Sequence, residues 1–386
     1  MANTSTTELL ERCLTGASWS DQLLQSAIAE DSGRAFFRIV VERLGDSFEP
    51  TLCDVYAKLF ARVIELVRPD FHAAELTQRY ERVRRPRVCT ANPKRVFVLS
   101  RVTLGADVAV TSIVLDGARR RFPEAEIVFV GPRKNWELFA GAGWVRHQPF
   151  AYARNGSMQD RLSGWPVFDE PDSIVLDPDS RLSQLGLLPV CPEENYHFFE
   201  SRAFGGDRDA TLVELTREWV AEVLETAGAK AWVAPEEGPA TGDIAVSFGV
   251  GDNPEKRLDD TFEENLLRSL AMTGASVLID EGAGGEETER VRRLCERVPE
   301  VRLSSGPYAP FAHAISRAKL YVGYDSAGQH VAAACGTPLI SVFAGYPAER
   351  MFQRWHPDGP GRIDVLKVTD QKPPDVLAFV LQNLTL

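Results

Sequence analysis

The chain has 386 residues, 44% of them hydrophobic and 25% charged, with a formal net charge of −12. That length predicts roughly two or three domains of ordinary globular composition. The acidic balance argues against a general affinity for nucleic acid or anionic membrane, and no apolar run is long enough to span a bilayer.

Residues 1–13 carry neither a basic segment nor an apolar stretch of the secretory kind, so a cytoplasmic protein is expected. Cys13, Cys53, Cys89, Cys191, Cys295 and Cys335 form no C-x-x-C pair and show no metal-like spacing. Reduced thiols and no metal are the expectation.

Residues 5 to about 85 read as helical. From Thr51 to Val67 the apolar residues Leu52, Val55, Tyr56, Leu59, Phe60, Val63 and Ile64 recur at helical spacing. An all-α module over 1–90 is predicted, with a possible partner-binding role. The prolines of Arg85 to Pro93 then mark a linker. Over 91–238 the pattern turns to strand and helix: a strand at Arg95–Ser100, a helix from Val108 to Phe122, a strand at Glu126–Val130, an apolar run at Ser173–Leu176 and a helix from Thr211 to Thr226. Gly238-Pro239-Ala240 marks a second boundary. Over 239–370 the alternation restarts with a strand at Asp243–Phe248. It closes on the strand, turn, helix and strand between Leu320 and Phe343. Residues 371–386 form a terminal helix. Two successive halves of this kind predict doubly wound α/β domains with ligands beyond the carboxyl ends of the strands.

The polar residues that follow those strands are therefore the candidates. Asp107 suits two roles, a helix cap or a general base. Asp177, Ser180 and Arg181 suit an Asp-Pro turn with a surface ion pair, or contacts to a polyhydroxylated ligand. The run Gly249-Val250-Gly251-Asp252-Asn253-Pro254-Glu255-Lys256-Arg257 is either a surface loop or a phosphate loop with two cations. Gly282 and Glu286 open another helix, where an acidic residue complements the dipole or meets a nucleotide. Asp325, Ser326, Ala327, Gly328 and His330 stand at a helix start, which is either an ordinary capped terminus or an anion site.

Together these motifs resemble glycosyltransferase family 9, the heptosyltransferase-like group. Gly105-Ala106-Asp107-Val108-Ala109-Val110-Thr111 is similar to the family's Gly-Asp-Val-x-x-Thr loop, with Ala106 inserted. Asp325-Ser326-Ala327-Gly328-Gln329-His330 and Gly336-Thr337-Pro338 resemble its Asp-[Ser/Thr]-Gly-x-x-His turn and Gly-Thr-Pro, and Phe343-Ala344-Gly345 stands where the family has Phe-Gly. The resemblance covers residues 94 to 365. It implies a GT-B fold, two facing Rossmann-like domains here preceded by the helical module, with the terminal helix packing back across the junction. It also implies inverting, metal-free transfer of a sugar from a nucleotide-sugar to an acceptor hydroxyl. Asp107 would be the base; Lys256, the backbone N–H groups of Ser326 to Gly328 and His330 would hold the departing diphosphate. A non-catalytic nucleotide-sugar-binding protein and a sugar-nucleotide epimerase are the alternatives.

Overall fold

The computed structural model describes residues 4–154, 156–238, 241–251, 253–346 and 348–385. Pro239 and Ala240 of the expected boundary, and Asp252 of the candidate loop, lie outside them.

Among the described residues, eleven strands form two sheets. The first holds β1 (Arg95–Leu99), β2 (Glu126–Gly131), β3 (Val145–Pro149), β4 (Ser173–Asp177) and β5 (Tyr196–Phe198) in the order β3-β2-β1-β4-β5. The second holds β6 (Ile244–Ser247), β7 (Val277–Asp280), β8 (Arg302–Ser304), β9 (Leu320–Tyr324), β10 (Leu339–Phe343) and β11 (Ile363–Lys367) in the order β11-β10-β9-β6-β7-β8. All five pairings of the second sheet are parallel. Parallel strands covered on both faces need unbroken apolar runs, and β1, β6, β9 and β10 supply them. The second sheet has the dinucleotide-fold order, reversing direction between β6 and β9. A crevice is therefore expected where those two strands end.

The chain groups into two compact units. One takes in residues 1–102, 117–132 and 146–229; the other takes in 103–116, 133–145 and 230–386.

The first unit contains the predicted N-terminal helices, Ser5–Thr15, Asp21–Ala29, Glu42–Gly45, Pro50–Val67 and Ala73–Val83. They do not form a core of their own. Phe36, Phe60, Ile64 and Tyr80 share one apolar cluster with Phe97 and Leu99 of β1, Val175 of β4 and Phe198 of β5. Polar contacts reinforce this. Tyr80 donates to buried Glu200, and Arg84 reaches the same carboxylate at 2.9 Å.

In the second unit, Phe262, Leu266, Val291 and Leu294 pack on Ile244, Val246 and Val322. The terminal helix, Pro373–Gln382, buries Val376 and Val380 in that same core. Buried Glu263 is neutralised by Arg257, at 2.7 Å, and by Arg290. No helix among the described residues is long and apolar enough to cross a membrane.

Candidate functional site

The loop after β1 opens a helix that starts earlier than its sequence suggests. Leu104–Ala106 makes a first α-turn, Asp107–Thr111 a wide π-turn, and Ser112–Arg121 the remainder. A π-turn holds one residue more than an α-turn, and Asp107 is its first residue. Asp107 is thus inside the helix and is no cap. Its carboxylate is fully buried and held on both sides: Thr111 Oγ1 donates to Oδ1 at 2.6 Å, and Asn135 Nδ2 to Oδ2 at 2.6 Å. Asn135, in the short helix Arg133–Trp136 beyond β2, is itself completely buried.

Gly105 lies against the helix Ala327–Cys335 that follows β9. A Cβ at position 105 would come within 3.3 Å of both Ala327 Cα and His330 Cδ2. A methyl group at position 105 would make this contact tight, and its neighbours would have to give by a few tenths of an ångström. The start of the helix has no side-chain cap, so the cap role considered for Asp325 and Ser326 is not what these residues perform. Asp325 turns away from the helix start. Lys256 Nζ donates to its Oδ2 at 2.6 Å and Gln329 Nε2 to its Oδ1 at 2.5 Å, while Gln329 Oε1 accepts from Ser341 Oγ. The first N–H groups of the helix are left without a side-chain acceptor, the arrangement that favours an anion.

Lys256 is aimed by the loop that carries it. Asn253 Nδ2 donates to Gly345 O at 3.0 Å, and Gly345, at φ +62°, leaves no room for a Cβ against the backbone of Glu255 and Lys256. Phe343-Ala344-Gly345 is in this way a buttress for the lysine loop. His330 is buried beside Trp355, with ring centroids 5.7 Å apart. Burial pushes its pKa down to about 4, with Lys256 acting in the same direction and Asp325 opposing, so the imidazole is neutral near pH 7. It offers an N–H without a charge.

Other expectations change. Arg257 is engaged by Glu263 and Asp260, and its guanidinium serves the core. Gly249 and Gly282 are both closed over by Glu287: a Cβ at Gly249 would lie 3.0 Å from Glu287 Oε1, and Ala283 N donates to that oxygen at 3.3 Å. The neighbouring Glu286 is exposed. The carboxylate that reaches the loops is therefore Glu287, one residue beyond the expected one. In the first unit Asp177 is buried, accepting from Ser180 N, Ser183 Oγ and Tyr196 Oη, and burial raises its pKa to about 6. Ser180 holds Leu182 N and Ser100 O, and Arg181 Nη1 reaches Tyr56 Oη at 3.2 Å. Asp179 pairs with Arg202 at 2.7 Å. These contacts tie the turn after β4 to the strands and helices around it. Among the described residues no group of three or more His, Cys, Asp or Glu is placed to hold a metal ion.

Two sheets with flanking helices, the second in dinucleotide order, match the GT-B class of folds. The solved structures agree. E. coli heptosyltransferase WaaC with ADP is 16% identical, with 75% of this chain and 100% of that chain covered and a TM-score of 0.54. The same enzyme with ADP-2-deoxy-2-fluoro heptose gives 17%, 75%, 100% and 0.52. A family 9 glycosyl transferase from Veillonella parvula gives 17%, 76%, 90% and 0.50. At such identities the likeness shows the fold. In sequence, residues 252–357 match the model of glycosyltransferase family 9 (heptosyltransferase), a stretch that takes in the lysine loop and the Asp325 turn. No curated protein sequence matches the chain.

Proposed function

We propose that this chain transfers a sugar from a nucleotide-sugar donor to an acceptor hydroxyl with inversion, in the cytoplasm. The family match and the fold support a nucleotide-sugar glycosyltransferase in general. One contact carries the finer reading: Gly105 rests on Ala327 and His330, which puts the Asp107 turn and the uncapped helix start in one compact unit. In this scheme Asp107 takes the acceptor proton as the acceptor oxygen bonds to the anomeric carbon. The bond from that carbon to the phosphate oxygen breaks, and its electron pair leaves with the diphosphate. Lys256, the N–H groups from Ser326 to Gly328 and the neutral His330 receive the departing charge. A lysine and a helix dipole take the part that a divalent ion plays elsewhere, and no metal is needed. Arg257 is left out because it neutralises Glu263. The division into a helical module at 1–90, an acceptor domain at 91–238, a donor domain at 239–370 and a terminal helix at 371–386 is part of this proposal.

The test is Asp107→Asn, which keeps the size of the side chain. Transfer should fall by about two to four orders of magnitude, the usual worth of a general base, while binding of the nucleoside diphosphate stays unchanged. Transfer at the wild-type rate would remove Asp107 from the mechanism. A second reading, a nucleotide-sugar-binding protein without transfer, is favoured by the complete burial of Asp107 and the engagement of both its oxygens. Wild-type protein that binds diphosphates but transfers nothing from a panel of ADP-, GDP-, UDP- and dTDP-sugars would establish it.

A further inference from the structure

Below the start of the helix Ala327–Cys335 lies a hydroxyl that the scheme above does not use. Tyr321, on β9, is completely buried. Two glycines make room for it. A Cβ at Gly323 would lie 2.5 Å from Tyr321 Oη and 2.6 Å from Ser247 O, and a Cβ at Gly328 would overlap both the ring and the hydroxyl. These contacts put Oη where β6 and β9 end, against the first turn of the helix. Among the described residues Tyr321 Oη has no hydrogen-bond partner, and neither does the buried Oγ of Ser326, the residue at the head of the helix. Burial pushes the phenol pKa up; the nearby hydroxyls of Ser326 and Ser247 temper that, and Asp280 and Asp325 add to it.

Two unpartnered hydroxyls side by side, at a helix start with no cap, make an incomplete hydrogen-bond chain. An orphaned buried hydroxyl is costly, so such a pair persists where something else completes it. We propose that Tyr321 is a positioning residue for the diphosphate. In the bound state its Oη–H donates to Ser326 Oγ, and Ser326 donates its own proton to a phosphate oxygen. Each hydroxyl then donates once, and the phenol polarises the serine in the direction of the anion. The inference rests on the diphosphate reading of the site and adds a residue on the strand beneath it.

The experiment uses the full chain, with pyrophosphate, ADP, GDP and UDP as probes in calorimetric titrations, on wild type, Tyr321→Phe, Ser326→Ala and the double variant. Tyr321→Phe should weaken binding about three- to tenfold, the worth of one hydrogen bond, without lowering the melting temperature of the free protein, because it removes an unsatisfied group. Ser326→Ala should weaken binding at least as much, and Tyr321→Phe should add no further loss in that background. An unchanged dissociation constant in Tyr321→Phe overturns the proposal, as does an equal extra loss without Ser326. A melting temperature that drops while affinity holds would make the tyrosine purely structural. Failure of the wild type to bind any of the four probes would instead sink the diphosphate site itself.

Discussion

Lys256 Nζ sits 2.6 Å from Asp325 Oδ2, and both side chains are largely buried. The lysine proposed to meet the diphosphate is therefore already oriented in the free protein, with its charge shared by the first residue of the turn. The carboxylate offsets part of the desolvation cost of the buried ammonium and holds it in place before an anion arrives. Lys256→Met should weaken pyrophosphate binding by about ten- to a hundredfold, the range for a hydrogen bond to a charged group. Titration across salt concentrations checks it: the variant should also lose most of the salt dependence, and a variant that binds like wild type would remove Lys256 from the site.

Gly328 is required by shape. A methyl group there would overlap the Tyr321 ring and hydroxyl. Gly328→Ala should destabilise the protein by about 1–3 kcal/mol, as overpacking does. Denaturant melts should show partial recovery when Tyr321→Val is added, because the smaller side chain vacates the contact. Equal loss in both backgrounds would point to the backbone.

The helical N-terminal residues cannot be treated as an appendage. Phe36, Phe60 and Tyr80 belong to the core of the first unit, and Glu200 depends on Tyr80 and Arg84 from the last of these helices. Deletion of residues 1–90 should give insoluble protein or a loosely packed state. The single change Arg84→Met should cost about 3–5 kcal/mol by leaving a buried carboxylate without its cation. A well-folded deletion product, with a sharp thermal transition, would contradict this.

Asp280, at the end of β7, gives a pH signature. Burial is the main cause of its raised pKa, at about 7; Glu287 and Glu281 add to it, and the N–H of Gly282 opposes. An acid whose pKa rises on folding holds its proton in the native state while the unfolded chain releases it. Stability from this group is therefore complete below pH ~4 and is lost as pH rises to about 7. Asp280→Asn should match wild type near pH 4 and exceed it by about 2–4 kcal/mol above pH 7. Melting temperatures across that interval, compared pairwise, measure it; parallel curves would mean that the carboxyl is charged throughout.

Much of the frame was legible because parallel α/β sheets write themselves as apolar runs. β1, β2, β4, β6, β9 and β10 all fall on stretches recognised from hydrophobicity and their bounding turns. Strands β3 (VRHQP) and β5 (YHF) were not legible: one is polar and partly exposed, the other has three residues, and neither shows a period. The site divides in the same way. Asp107, Lys256, Asp325 and His330 stand out because each follows a strand or opens a helix. Asn135 follows β2 by only a few residues, so the rule that polar residues after strands deserve interrogation would have found it. Tyr321 lies inside a strand, where a tyrosine reads as ordinary core.

By itself the sequence determined the class of fold, the match to a family model at 252–357 and the short set of residues around which chemistry can be argued, because these depend on periodicity and on neighbours in the chain. Only the tertiary structure decided what each polar atom faces. It committed Arg257 to Glu263, put Glu287 in place of Glu286 against the glycine loops, and joined the helical residues to the first sheet in one core. It also set Asp107 at the head of a π-turn, between Thr111 and Asn135. Hydrogen bonds and ion pairs between residues far apart in the chain are settled by packing, and no spacing along the sequence encodes them.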